Sequence, residues 1–285
     1  MDFSNLSATD KANYMRTLAQ LDAVPPQVRA AIAQEAIASQ REVKAAIYYS
    51  TIRARAARTG AGPFTYTLPV QTLKAFTFKE GDDMGQAGFA AGTLANLSHT
   101  NLTTGGSQTN DGADVVIWGI SVEVAAISEP RLVAEFLDAS YVEISTSAAG
   151  RTRIGKLQDF PGSGGLYGGA HTKLEAGNLA ETIGPVESYL SNGNPMAGNF
   201  WKLPYPIRWN AVGNKKKDTA LSVLVTMTEA RAVTAADRAA VAGAAPGASG
   251  RVEAFTSPAD GARGTFAQFR IKLATVQIGE RSVNG

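Results

Sequence analysis

The stretch VVIWGISVEV at residues 115–124 has the clearest two-residue periodicity in the chain. Every second residue from Val116 to Val124 is large and apolar, whereas the positions between them include a glycine, a serine and a glutamate. Successive side chains of a strand point to opposite faces of a sheet, so this alternation predicts a β-strand with one buried face. The run indicates a fold that is mainly β.

Segments of the same character lie on both sides of this run. Residues 200–209 are rich in apolar side chains but contain Pro204 and Pro206, which cannot donate to a β-ladder, so this strand is predicted at a sheet edge or a bend. The chain holds roughly eight to ten such strands, and they do not alternate regularly with helices. This pattern predicts a jelly-roll β-sandwich or barrel, with a single roll carrying insertions favoured and a double roll left open. The other predicted strands cover residues 63–68, 73–78, 141–145, 220–227 and 266–278.

The N-terminal part of the chain has a helical pattern instead. Ser7 and Thr9 are candidate N-caps, because their hydroxyls can accept a hydrogen bond from the first turn of a helix. That helix is expected to end near Leu21. Pro25 and Pro26 then break the chain, and proline suits the first turn of a following helix.

Alanine-rich residues 27–59 predict that the second helix continues to a stop at Gly60. Apolar or small side chains recur there at intervals of three or four, which marks one helix face. The chain therefore divides into a helical N-terminal arm, residues 1–60, and a β domain, residues 61–285. The arm either packs as a helical hairpin on its own domain or reaches a neighbouring subunit or the inside of a shell. Long loops are expected in the β domain at residues 80–113 and 228–263.

Positive charge is concentrated in the N-terminal arm. The whole chain has a formal net charge of only +2, yet residues 1–60 hold eight Lys or Arg against five Asp or Glu, which gives +3. A basic helix face can contact nucleic acid, anionic lipid or an acidic partner. Ordinary exposure to solvent is the alternative. The candidate contact residues are Arg41, Lys44, Arg53, Arg55 and Arg58.

The residues that carry enzyme chemistry do not form a recognisable constellation. Cysteine is absent, which excludes disulfides and thiolate catalysis. His99 and His171 lie in stretches rich in Gly, Ser or Thr and are predicted to be exposed loop residues. Paired Asp or Glu side chains can catalyse glycoside hydrolysis or bind calcium. The acids of this chain, however, occur in turn-like segments, where Asp is favoured because it hydrogen-bonds to nearby backbone. We therefore predict no catalytic residue, no cofactor and no metal, and hence no enzyme. The acids in question are Asp82, Asp83, Asp111 and Asp114, and the cationic run Lys215–Lys217 is predicted at a hairpin tip.

The order of segments resembles the jelly-roll major capsid proteins of tailless icosahedral bacteriophages, including membrane-containing ones. The resemblance covers most of residues 63–285. It is carried by PFTYTLPVQTLKAFTFKEGDD (63–83), VVIWGISVEV (115–124), DASYVEISTSAAGRTRIGKLQDFPGSGGL (138–166), NFWKLPYPIRWNAVGN (199–214), TALSVLVTMTEA (219–230) and FAQFRIKLATVQIGERSV (266–283).

This resemblance implies a structural coat protein that self-assembles into an icosahedral shell enclosing a genome. Its partners would be copies of itself, as a trimer or a higher capsomer, and other capsid proteins. The arm would meet an internal membrane or the genome. The protein would be made in the host cytoplasm and reside in the virion. Two alternatives stay open at this point, namely another virion component (a tail, spike or decoration protein) and a carbohydrate-binding β-sandwich that uses Asp82 and Asp83.

Overall fold

The structure is a computed structural model of the 285-residue chain. It is mainly β, as the alternating patterns predicted. The residues that it describes are 7–22, 24–38, 42–59, 65–103, 114–127, 130–146, 150–160, 168–175, 182–190, 200–209, 221–234 and 265–279.

Two helices open the described part of the chain, as predicted. Helix α1 spans Ala8–Gln20, and the Ser7 hydroxyl caps it by accepting a hydrogen bond from the Asp10 backbone N–H at 3.1 Å. Helix α2 spans Pro26–Ala38, with proline at its first position. Both helices thus begin where capping and proline chemistry placed them.

The prediction that the second helix continues to Thr59 is wrong. Residues Glu42–Thr59 form an 18-residue strand, β1, and pair with the last strand of the chain over 15 residues. Spacings of four fit a helix face and also fit one face of a strand, so the apolar pattern did not distinguish the two. The aromatic and β-branched run from Ile47 to Ile52 favours a strand, and pairing with a distant partner overrides the helix propensity of the alanines.

Eleven further strands follow in the described residues. They form a six-stranded sheet in the order β11-β2-β1-β12-β4-β9, a four-stranded sheet in the order β3-β10-β5-β6, and a two-stranded sheet of β7 and β8. Strand β9 lies at a sheet edge, as its prolines predicted. The strands are β2 Thr65–Leu68, β3 Gln71–Ala75, β4 Asp114–Ile127, β5 Ser140–Thr146, β6 Gly150–Lys156, β7 Gly168–Glu175, β8 Thr182–Leu190, β9 Trp201–Trp209, β10 Leu221–Met227, β11 Arg231–Thr234 and β12 Thr265–Gly279.

Eight of these strands pair in a nested order. In chain order they are β1, β3, β4, β5, β6, β9, β10 and β12. The first pairs with the last, the second with the seventh, the third with the sixth and the fourth with the fifth, and all of these pairs are antiparallel. Strands β2 and β11 extend the six-stranded sheet beyond β1.

The main core lies between the two larger sheets, which together form a β-sandwich. Helix α3, Pro130–Ala139, adds Phe136 to this core, where its ring stacks on Phe269 with centroids 5.0 Å apart. Both side chains are fully buried. The largest fully buried side chains also include Trp209, Tyr48, Phe76 and Phe160.

A second apolar cluster joins the N-terminal helices to the opposite face of the six-stranded sheet. Leu21, Val24 and Ile32 from the helical region are buried in the same cluster as Trp118 and Val276 from the sheet. A two-bond ion pair between Glu35 of α2 and Arg208 of β9 adds to this attachment. Within the described residues the helices therefore pack on their own domain, which is the hairpin alternative.

The described parts of the two predicted long loops contain regular secondary structure and buried side chains. Residues 80–103 contain a 3-10 turn at Gly85–Ala87, and their Met84, Phe89 and Leu102 are buried in the main core. Strand β11 falls inside the second expected loop, 228–263. Residues 104–113 and 235–263 lie outside the described residues.

Candidate interaction surface

The predicted basic contact residues do not form one exposed helix face, because most of them lie on strand β1. Lys44 is well exposed, with a side chain 67% accessible and 4.0 Å from Glu42. Arg53 and Arg55 are half-buried on the outer face of the six-stranded sheet, the face that points away from the main core. Arg41 lies outside the described residues, and for Arg58 only the backbone is described. Their role as contacts stays a prediction.

Arg53 is held by its own domain. Its Nε and Nη2 donate to Gln268 Oε1 at 3.3 and 2.9 Å, across the pair of strands β1 and β12. The guanidinium also lies over the Phe89 ring, 4.3 Å from the centroid, where a cation–π interaction is favourable. A binding partner would therefore have to compete with these intramolecular contacts of Arg53.

Two cations of β12 share one carboxylate on the same outer face. Lys272 Nζ lies 2.5 Å from Glu123 Oε2, and Arg270 Nη1 lies 3.7 Å from Glu123 Oε1. The three side chains are 19%, 28% and 11% accessible, respectively, so water screens the ion pairs only in part. Arg53 and Arg55 of β1 lie on the same face of the sheet.

Residues 96–102, which we name the edge clasp, cover part of the open edge of β1. Asn101 does this with its side chain, because Oδ1 accepts from the Tyr49 N–H at 2.9 Å and Nδ2 donates to the Ile47 carbonyl at 2.8 Å. Its backbone N–H also reaches the Tyr49 carbonyl at 3.4 Å, and Ser50 and Thr100 form an isolated β-bridge. One amide side chain thus satisfies backbone groups that a neighbouring strand would otherwise bind.

Side chains from two strands hold the edge clasp from the outer face. The Tyr49 hydroxyl donates to the Leu97 carbonyl. Arg270 Nη2 donates to the Ser98 carbonyl at 3.0 Å. The edge clasp is therefore connected to Arg270, one of the two cations that contact Glu123.

His99 lies within the edge clasp and is half-buried, so the prediction of an exposed loop histidine is wrong for it. Its ring packs edge-on against Phe89 with centroids 5.3 Å apart, and its Nδ1 accepts from the Asn96 N–H at 3.3 Å. Partial burial, and then the nearby charges of Arg53 and Arg270, lower the pKa of His99 from its ordinary value of 6.5. The arrangement thus favours the neutral imidazole.

The other candidate residues serve the local backbone or lie apart. Asp82 accepts the Lys79 N–H at 3.0 Å, and Asp83 accepts the N–H groups of Gly85 and Gly92 at 2.7 and 2.5 Å, as turn chemistry predicts. His171 lies on strand β7 rather than in a loop, which corrects that expectation. Asp114 is buried at the start of β4, whereas Asp111 and Lys215–Lys217 lie outside the described residues.

Two features are absent from the described part of the chain. Its His, Asp and Glu side chains form no group of three or more that is placed to hold a metal ion. Its helices are too short or too polar to span a membrane.

Sequence reasoning missed Asn101, Phe89 and Glu123 as parts of this surface. Asn101 contacts residues 52 and 54 positions earlier in the chain, so no local pattern could reveal the contact. The one available signal was the alternation on β12, which correctly placed Arg270 and Lys272 on the face opposite Phe269.

Comparison with known proteins identified no relative of this chain. No protein-family model matches the sequence, and no match was found among curated proteins or solved structures.

Proposed function

We propose that this protein is a structural coat subunit of jelly-roll type that assembles with its own copies into a closed icosahedral shell. The observation that carries the proposal is the nested pairing of the eight strands. A jelly roll is an eight-stranded double sheet, and rolling up a long antiparallel ribbon pairs its first strand with its last and its second with its seventh. Viral coat domains are among the proteins that use this architecture.

A single roll with insertions fits the pairing better than two rolls. One nested set uses eight of the twelve described strands and both larger sheets. The remaining strands are additions, since β2 and β11 extend one sheet and the β7–β8 hairpin falls between the fifth and sixth strands of the nested set.

Exposed apolar side chains support a role in subunit contact. Leu94 and Leu97 are each 60% exposed and Ile47 is 47% exposed. Leu97 lies in the edge clasp, and Ile47 lies on the part of β1 that the edge clasp binds. Large apolar groups on a surface mark places where another protein can remove them from water. Val70 and Tyr205 are further examples, at 61% and 82% exposed.

The N-terminal region would then contribute to the shell as part of the subunit body. Its helices cover the sheet of their own domain. Of the predicted basic contacts, Lys44 is the side chain best placed to reach another copy, a membrane or a genome. We keep that contact as part of the proposal.

The test is assembly of the purified full chain. We expect concentration-dependent trimers or larger capsomers in sedimentation velocity, and closed shells by electron microscopy. The double variant Leu94→Glu, Leu97→Glu should weaken assembly while leaving the circular dichroism of the subunit unchanged. Gln86→Glu is the matched control, since it adds a charge at an exposed polar position of the same region.

Three results would decide against this proposal or amend it. A protein that stays monomeric at high concentration across salt and pH would overturn it. Open tubes, spikes or attachment to an existing particle would favour another virion component. Equal assembly of the double variant and Gln86→Glu would show that Leu94 and Leu97 do not lie in a subunit interface.

A further inference from the structure

The edge clasp is bound by β1 and β12 through contacts that flank His99 on both sides. Leu97 and Ser98 receive hydrogen bonds from Tyr49 and Arg270 just before it, and Asn101 binds β1 just after it. We propose that the edge clasp is a pH-sensitive latch in which protonation of His99 releases residues 96–102 from β1 and uncovers the hydrogen-bonding edge of that strand. This inference does not depend on the proposed coat function.

The hydrogen bond at His99 requires the neutral imidazole. Nδ1 accepts the Asn96 N–H at 3.3 Å, so it must carry a lone pair. Protonation makes both ring nitrogens donors. Two donors then face each other at this position, and the turn that begins the edge clasp loses this hydrogen bond, while the His99 and Thr100 N–H groups still donate to the Asn96 carbonyl at 2.8 and 3.1 Å.

The charges around His99 also oppose protonation. Arg53 faces it from β1 and Arg270 faces it from β12, and both lower its pKa after the larger contribution from partial burial. Glu123 on β4, which contacts Arg270, also contacts Lys272. A third positive charge at His99 is therefore relieved when the edge clasp moves into water.

Proton linkage gives the direction and the limit of the effect. The closed state has the lower His99 pKa, so protons bind preferentially to the open state, and the opening constant rises as pH falls below about 6.5. An open-state pKa of about 6.5 limits the increase between pH 7.5 and 5.5 to about tenfold, the case in which the closed state does not protonate at all.

Opening would change what β1 offers to other chains. The Tyr49 N–H and the carbonyls of Ile47 and Tyr49 lose their Asn101 partners. An open strand edge pairs with any extended segment that presents complementary backbone groups. Mild acid would thus convert a capped edge into one that accepts a strand of another copy.

Hydrogen–deuterium exchange of the full chain, read by mass spectrometry, tests the latch. After correction for intrinsic rates, peptides that cover residues 45–52 and 96–103 should exchange about three- to tenfold faster at pH 5.5 than at pH 7.5. Peptides from strand β10 should show no such change, because β10 pairs with β3 and β5 in the other large sheet rather than with β1. Equal exchange of the first two peptides at both pH values would overturn the proposal.

Two matched variants assign the effect to one side chain. His99→Asn places an amide oxygen near the Nδ1 position and cannot gain a proton, so the acceleration should disappear. His171→Asn removes the other histidine of the chain, on β7, and should leave the acceleration intact. Retention of the full acceleration in His99→Asn would refute the assignment.

A direct titration gives a second decision if His99→Asn does not fold. Nuclear magnetic resonance of the wild-type His99 ring should show a midpoint below its ordinary value of 6.5. A midpoint at or above that value would contradict the closed-state environment and overturn the latch.

Discussion

The substitution Gly88→Ala tests how closely residues 80–103 pack against strand β1. Its φ is +88°, a left-handed backbone conformation that glycine adopts without strain. A Cβ at this position would lie 2.0 Å from the Arg53 carbonyl oxygen and 2.8 Å from Leu73 Cδ2. The first contact is with backbone in the middle of a paired strand, so it cannot relax by a change of rotamer.

The expected cost of Gly88→Ala has two parts. The left-handed conformation costs about 1 kcal/mol for alanine. To avoid the Arg53 carbonyl, the segment must also move away from β1, which exposes part of Phe89 and costs about 2–3 kcal/mol more. We therefore expect a loss of about 3–4 kcal/mol in the free energy of unfolding.

Equilibrium urea unfolding, followed by fluorescence of the three tryptophans, measures this loss. Gly92→Ala is the control, since Gly92 has φ +79° but no atom within 4 Å of its added Cβ. That variant should lose only the conformational cost of about 1 kcal/mol. Equal stabilities for the two variants would show that Gly88 does not approach β1 as described, and the reasoning would fail.

Three further substitutions probe the edge clasp, the core and the shared carboxylate. Asn101→Ala removes two side-chain hydrogen bonds to β1 and should cost about 2 kcal/mol, with faster amide exchange at the strand edge. Phe136→Ala empties a fully buried stacking position and should cost about 3–5 kcal/mol in urea unfolding. Glu123→Gln leaves two half-buried cations without their carboxylate and should cost about 2–3 kcal/mol, an effect measured by thermal unfolding at low salt.

Each of these has a matched control in the chain. Asn101→Asp keeps the acceptor but loses the amide donor, so it should fall between wild type and Asn101→Ala. Tyr205→Ala changes a residue that is 82% exposed and should cost less than about 0.5 kcal/mol. Glu143→Gln breaks an ion pair whose arginine is 62% exposed and should cost less than about 1 kcal/mol. A control that matches its test variant would contradict the corresponding contact.

Strands with strict alternation were the most predictable part of the fold. On β12, Phe269 and Ile271 are buried and Arg270 lies on the other face, as their spacing required. The helix starts at Ser7 and Pro26 were equally local, since capping and proline chemistry act within one turn.

Strand β1 was mistaken for a helix because its decisive interaction is not local. Its alanines favour a helix, and its apolar spacing of four fits both periods. Pairing with β12, more than 200 positions later in the sequence, makes this segment a strand. The contacts of Asn101 and His99 were not predicted for the same reason, because their partners on β1 and β12 are distant in sequence.

The nested pairing has a further consequence for how the chain acquires its structure. Because Glu42 lies opposite Gly279, β1 cannot complete its main ladder until β12 has left the ribosome. Loop closure over such separations slows folding, and contact order of this kind is typical of slow all-β proteins. We expect nascent chains that stop before β12 to remain unfolded and prone to aggregation, and this domain to fold mainly after β12 has been synthesised.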